Sequence, residues 1–167
     1  MPPLILSLKL DQASFNALDN LRQQYFPPAR NFLSAHVTLF HHLPGEREQT
    51  IKEFLQEICA ETPAFSLLFP GLRFLGKGVA VEIESAGLSR LRKTLATNWS
   101  DWLTAQDKQG FRPHVTIQNK VAPEDARRVF DLFAPDWKMD EGTGEGLLLW
   151  HYLGGPWKLV EEFPFAG

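Results

Sequence analysis

Two tetrapeptides in this sequence carry equivalent side chains in the same order. His36-Val37-Thr38-Leu39 and His114-Val115-Thr116-Ile117 each read histidine, valine, threonine, aliphatic, and they lie 78 residues apart. An imidazole ordinarily titrates near pH ~6.5, so two of them can hold one neutral and one protonated ring close to neutrality. That pair suits in-line displacement at phosphorus. One histidine takes a proton from the attacking hydroxyl or water, and the other gives a proton to the leaving oxygen. Threonine hydroxyls can donate to the non-bridging oxygens and stabilise the charge that builds on them. His36 and His114 are therefore the candidate acid–base pair, and Thr38 and Thr116 the candidate phosphate ligands. The scheme needs no metal and no cofactor. Taken singly, each histidine reads as a strand-end residue in an ordinary hydrogen bond, and each threonine as a plain strand former. Repetition in phase is what favours chemistry.

Something must position these residues. Alternation at period two makes each tetrapeptide part of a half-buried strand, with Val37, Leu39, Val115 and Ile117 facing the core and the His and Thr side chains facing away. Strands are expected over 4–10, 34–40, 65–69, 72–75, 79–84, 111–118, 147–153 and 157–163. Helices are expected from Asp11 to Pro27, over 46–60, over 86–105 and from Pro123 to Pro135. Gly76-Lys77-Gly78 reads as a hairpin turn, and 138–144 as a loop. The order strand, helix, motif strand, helix, strand occurs twice at nearly constant offset. This predicts one α+β, bilobal domain over 1–167 with pseudo-twofold duplication, its halves near 1–75 and 76–167, with exchange of strands between lobes left open. Two antiparallel sheets would line a central cleft, with helices outside.

Other residues share the motifs' phase. Arg112 has the parity of His114, and a guanidinium suits a phosphate, although Pro113 beside it leaves the strand irregular there. Gln118 and Lys120 continue the second strand and could equally face the cleft or a solvated edge. His42 shares parity with His36 and could border the cleft. Phe40 is in phase with His36 and Thr38. It is the best of the aromatics Phe40, Tyr25, Trp150 and Tyr152 for stacking on a base, the rest having core spacing. Neighbours His41 and His42 are expected on opposite faces, and no HExxH or cysteine pair supports a metal there. Arg90, Arg92 and Lys93 read as a solvated helix face. Cys59, the single cysteine, reads as an inert core thiol at the end of a helix.

Composition narrows the classes further. The sequence has 167 residues, 44% hydrophobic and 22% charged, enough for a real core. A net charge of −3 argues against a long footprint on duplex nucleic acid but not against a single RNA end. No apolar run approaches membrane length, and the start lacks the pattern of a signal peptide. A cytoplasmic protein, monomeric by default, is expected.

The paired His-x-Thr motifs in a duplicated layout resemble the 2H phosphoesterase superfamily, and most of all its bacterial 2′-5′ RNA ligase and cyclic phosphodiesterase-like branch. Arg112-Pro113-His114-Val115-Thr116-Ile117 is similar to the second motif of that branch, and Gly76-Lys77-Gly78-Val79 to its mid-chain hairpin. The resemblance covers nearly the whole chain. It implies a bilobal fold with a central cleft and metal-independent phosphodiesterase chemistry on 2′,3′-cyclic phosphate or 2′-5′ phosphodiester RNA or nucleotide ends. His36 and His114 would be the acid–base pair, and Thr38 and Thr116 the phosphate ligands. A module that binds RNA ends or nucleotides without turnover is the alternative.

Overall fold

The computed structural model describes residues 1–167. The aliphatic run Leu4–Leu10 forms β1 and is buried almost throughout. Asp11 then caps α1, Gln12–Tyr25, by accepting the Ser14 N–H at 3.1 Å, and it also accepts the Thr143 N–H at 2.8 Å. The remaining elements are β2 (Thr38–Leu43), α2 (Glu48–Glu61), β3 (Phe65–Leu67), β4 (Leu72–Phe74), β5 (Val79–Glu82), α3 (Ala86–Asn98), α4 (Ala105–Lys108), β6 (His114–Gln118), α5 (Pro123–Phe133), β7 (Gly142–Tyr152) and β8 (Trp157–Pro164).

The α+β architecture has two antiparallel sheets. The larger runs β2-β1-β7-β3, with β8 also paired to β7; the smaller runs β4-β5-β6. Each motif strand lies at a sheet edge against the strand that precedes it in the repeated layout, β2 on β1 and β6 on β5. A single core of 29 buried residues runs through both sheets. No helix is long and apolar enough to cross a membrane.

The repeat extends to an irregularity. Leu6 pairs with Phe40 and Ser7 with Thr38, which leaves Leu39 without a partner. Val79 pairs with Gln118 and Ala80 with Thr116, which leaves Ile117 without one. Each motif strand thus carries a bulge immediately after its threonine, and one extra residue inverts the phase of everything beyond it. This corrects two expectations. Phe40 is fully buried, edge-on to Trp99 with ring centres 5.2 Å apart. Gln118 is buried too, and its Oε1 has no hydrogen-bond partner. Neither lines a cleft. A second register shift, between the Leu6–Phe40 and Leu4–Leu43 pairs, leaves His41 and His42 both exposed rather than on opposite faces.

Some boundaries differ from expectation for local reasons. The motif strands begin at Thr38 and His114, later than 34 and 111, so the first histidine stands just before its strand and the second opens it. Pro113 has no N–H to give a ladder. α3 ends at Asn98, short of the expected 105, and the short helix α4, capped by Thr104, follows it. β7 starts at Gly142, inside the expected loop. Its glycines hid it, yet at Gly144 a Cβ would meet the Phe65 ring at 2.6 Å, so the strand needs a residue without one. The expected hairpin is present: Leu75 N–H donates to Gly78 O at 2.9 Å, and Gly76 takes φ +86°.

Candidate functional site

Both motif histidines are held in the same way. His36 Nδ1 lies 2.8 Å from the Ser34 carbonyl oxygen, and His114 Nδ1 lies 2.9 Å from that of Arg112. Each acceptor is two residues upstream. A carbonyl can only accept, so Nδ1 carries the proton and Nε2 keeps a free lone pair. Burial pushes His36 down to about 4, helped by the charges of Arg22, His114 and His41 and opposed by the Ser34 contact. Burial likewise lowers His114, with Arg73, His41 and Arg112 adding to it and the Arg112 carbonyl opposing. Both rings are therefore neutral near pH 7 in the free protein, whereas an unperturbed pair would have been partly charged. Because His114 and His41 act on His36, and His41 acts on His114, the three imidazoles share one electrostatic neighbourhood.

A cavity of about 300 Å³ opens between the two sheets. Thr38 and His41 line it from β2, Arg73 from β4 and His114 from β6, with Arg112 beside them. Arg73 Nε donates to Glu82 Oε1 at 3.0 Å, and its Nη1 lies 3.4 Å from His114 Nδ1. Arg112 Nη2 is 3.6 Å from the same Glu82 oxygen. One carboxylate therefore orients two guanidiniums next to the second histidine. Arg73 was missed in the sequence. The signal for it was a lone cation between Leu72 and Phe74 in an apolar strand.

His36 lines a second cavity, of about 480 Å³. Its walls include Phe15, Phe32, Trp150 and Trp157. The Trp157 and His36 ring centres are 4.7 Å apart at 60°.

Two buried arginines brace the bulges from behind. Arg92 of α3 donates through Nε to Leu39 O at 2.8 Å and through Nη2 to Asp107 O at 2.7 Å. Arg22 of α1 donates through Nη1 to Thr116 O at 2.9 Å and through Nε to Leu33 O at 2.9 Å. Each helix thus reaches the motif strand of the opposite half of the chain. Arg92 is buried, not solvated as its helix run suggested, and its guanidinium sits 4.0 Å from the Phe40 ring centre. Asp107 completes the brace by accepting the backbone N–H groups of His41 at 2.8 Å and His42 at 2.9 Å. Burial alone would raise its pKa, but the bonds from the His41 side chain and from both backbones outweigh it and hold the carboxyl below the usual range.

Of the expected site residues, the structure places Thr38, Arg112 and His114 around one cavity. His36 lines the second. Thr116 is half-buried two residues along β6 from His114. His42 is exposed, and Phe40 and Gln118 lie in the core. No three His, Cys, Asp or Glu side chains gather in a way that could hold a metal ion. Cys59 is buried, and burial pushes its thiol up to about 12, which leaves it inert.

Comparison with known proteins adds to this geometry. No curated protein matches the sequence. Several solved structures share the fold across almost the full length of both chains. TT0787 of Thermus thermophilus aligns at a TM-score of 0.68 and 17% identity, covering 99% of this chain and 98% of its own. E. coli LigT complexed with 3′-AMP aligns at 0.62 and 14%, covering 99% of each chain. A structure described only as a phosphoesterase aligns at 0.65 and 15%, covering 100% of each. The model of the 2′-5′ RNA ligase superfamily matches residues 10–156, most of the sequence. The chain belongs to the 2′-5′ RNA ligase superfamily.

Proposed function

We propose that the chain is a metal-independent phosphodiesterase acting on 2′,3′-cyclic phosphate or 2′-5′ phosphodiester ends of RNA or nucleotides. The observation that carries this reading is the matched pair of imidazoles, each with Nδ1 on the carbonyl two residues upstream and Nε2 left free. Membership of a superfamily of phosphoesterases supports it. So do the solved complexes of LigT with 3′-AMP and with phosphate.

The phosphate sits between His36 and His114. Thr38, Thr116, Arg73 and Arg112 donate to its non-bridging oxygens. Its negative charge raises both imidazoles from their depressed values, since an opposite charge nearby favours the protonated form. One Nε2, still neutral, takes a proton from water as the water oxygen bonds to phosphorus. The other, now protonated, delivers its proton to the ribose oxygen as the phosphorus–oxygen bond breaks. The net change is addition of one water across one ester bond.

A panel of 2′,3′-cyclic nucleotides and short 2′-5′-linked oligonucleotides tests the reading. His36→Ala and His114→Ala should each lower the rate by about 10²–10⁴-fold, the range for loss of one acid or base. EDTA should leave the wild-type rate unchanged. Wild-type turnover that survives both substitutions would overturn the mechanism.

A further inference from the structure

One histidine–carboxylate pair at the cavity of Thr38 and His114 takes no part in the proton transfers. His41 Nδ1 lies 3.1 Å from Asp107 Oδ1, the His41 side chain being 47% exposed and that of Asp107 1%. We propose that His41 is a further catalytic residue, donating through Nε2–H to a non-bridging oxygen of the substrate's phosphate, and that Asp107 is the carboxylate that positions it. The proposal rests on the phosphodiesterase reading and adds a third imidazole to it, one that holds charge instead of passing a proton on.

Three observations support this role. First, the backbone delivers the ring to the cavity. Thr38 and His41 are three residues apart, which in a regular strand puts them on opposite faces. The bulge after Thr38 supplies one extra residue, and both side chains line the cavity together with His114, Arg73 and Arg112. The counterpart after Thr116 is Asn119, whose side chain accepts the Lys120 N–H at 2.9 Å, so only the first half sends in such a ring. Second, the bonding of the rings differs. His36 and His114 rest Nδ1 on a neutral carbonyl, whereas His41 rests it on a carboxylate. Nε2 is then the one uncommitted nitrogen of His41. With phosphate there, the ring donates to an anion from each nitrogen, and both bonds are charge-assisted. Third, the Asp107 carboxylate has no other side-chain partner. It accepts the backbone N–H groups of His41 and His42, and Arg92 donates to its backbone carbonyl instead. A carboxylate so buried requires pairing, and its pair is the ring that faces the cavity.

The test reads phosphate binding and turnover separately. Asp107 keeps the backbone N–H groups of residues 41 and 42 whatever side chain stands at 41, so His41→Phe should melt as wild type does. His41→Asn decides the matter if His41→Phe does not fold. In calorimetric titration, inorganic phosphate should bind either variant about 10- to 150-fold more weakly than wild type. The rate on a saturating 2′,3′-cyclic nucleotide should fall by about 10²–10³-fold. Asp107→Asn should lower that rate in the wild-type background and not in His41→Phe, while lowering the melting temperature in both. An equal loss of rate in both backgrounds would overturn the positioning role. Phosphate affinity and rate unchanged in the His41 variants would overturn the proposal and leave the phosphodiesterase reading intact. A wild type that binds phosphate through His41 yet opens no ester would overturn that reading and leave the contact standing. One that binds no phosphate would overturn both.

Discussion

At the scale of single residues, the environment of the two imidazoles sets the pH behaviour. Burial holds His36 near 4 and His114 below its ordinary value, so both are free bases across neutrality in the empty site. The acidic limb of kcat/KM, which reports the free enzyme, should therefore lie below pH ~6.5, and the limb of kcat, which reports the complex, should lie higher. Profiles of both constants on one cyclic nucleotide would show coincident limbs if the bound phosphate did not shift the pair. The same burial links to stability. An unfolded His36 takes up a proton below pH ~6.5, whereas the folded one does so only near 4, so its contribution is complete above the first value and is lost as pH falls toward the second. Urea midpoints at pH 7.5 and 4.5 should fall further for wild type than for His36→Asn. Gln118 makes the opposite case. Its Oε1 is buried with no partner, so Gln118→Met should be neutral or stabilise by up to about 1 kcal/mol in urea unfolding. The equivalent placement of the two motifs on edge strands was legible because their pattern repeats. Arg73 was not, since a single arginine in a three-residue strand repeats nothing.

At the scale of elements, the bulges and their braces form the unit that places the motifs. A bulge depends on what the neighbouring strand pairs with, so no count of alternating residues in β2 or β6 could reveal it. The error with Phe40 and Gln118 follows from that one missing residue of register. The braces explain how so short a strand keeps its geometry. Arg92 and Arg22 each satisfy carbonyls at or beside a bulge, in the half of the chain opposite to their own helix. Arg92→Met would leave Leu39 O and Asp107 O without their donor and should cost about 2–4 kcal/mol in urea unfolding. Arg92→Lys should recover only part, because one ammonium does not reproduce a planar fork. Equal stability of wild type and Arg92→Met would show that the guanidinium does not brace the bulge. The amphipathic helices themselves were readable, being local; the broken end of α3 and the helix α4 reflect packing around Asp107 that local pattern does not contain.

At the scale of the whole molecule, the larger sheet draws on both ends of the chain. β1 has β2 on one side and β7 on the other, and all seven of its residues from Leu4 to Leu10 pair with β7. A fragment spanning 1–75 would keep β1, β2 and β3 but lose the strand that joins β1 to β3. Expressed alone, it should show no cooperative thermal transition and should bind hydrophobic dye, whereas the full chain should melt in one step. The layout could be read from the sequence because hydrophobic period and turn residues are local signals. The insertion of β7 beside β1 could not, since strand partners so far apart leave no trace in either segment.

That insertion also bears on how the protein is made. On the ribosome β1 emerges first, while β7 appears only after most of the chain has been synthesised. At about 5–20 residues per second the wait is on the order of 10 s. Throughout it, an aliphatic strand presents unpaired N–H and C=O groups along one side, a template on which another nascent chain could pair. The protein's exposure to aggregation during production is therefore set by the delay between its first strand and its seventh, and slowing translation downstream of Leu10 should lower soluble yield even though the finished molecule leaves no edge of β1 open.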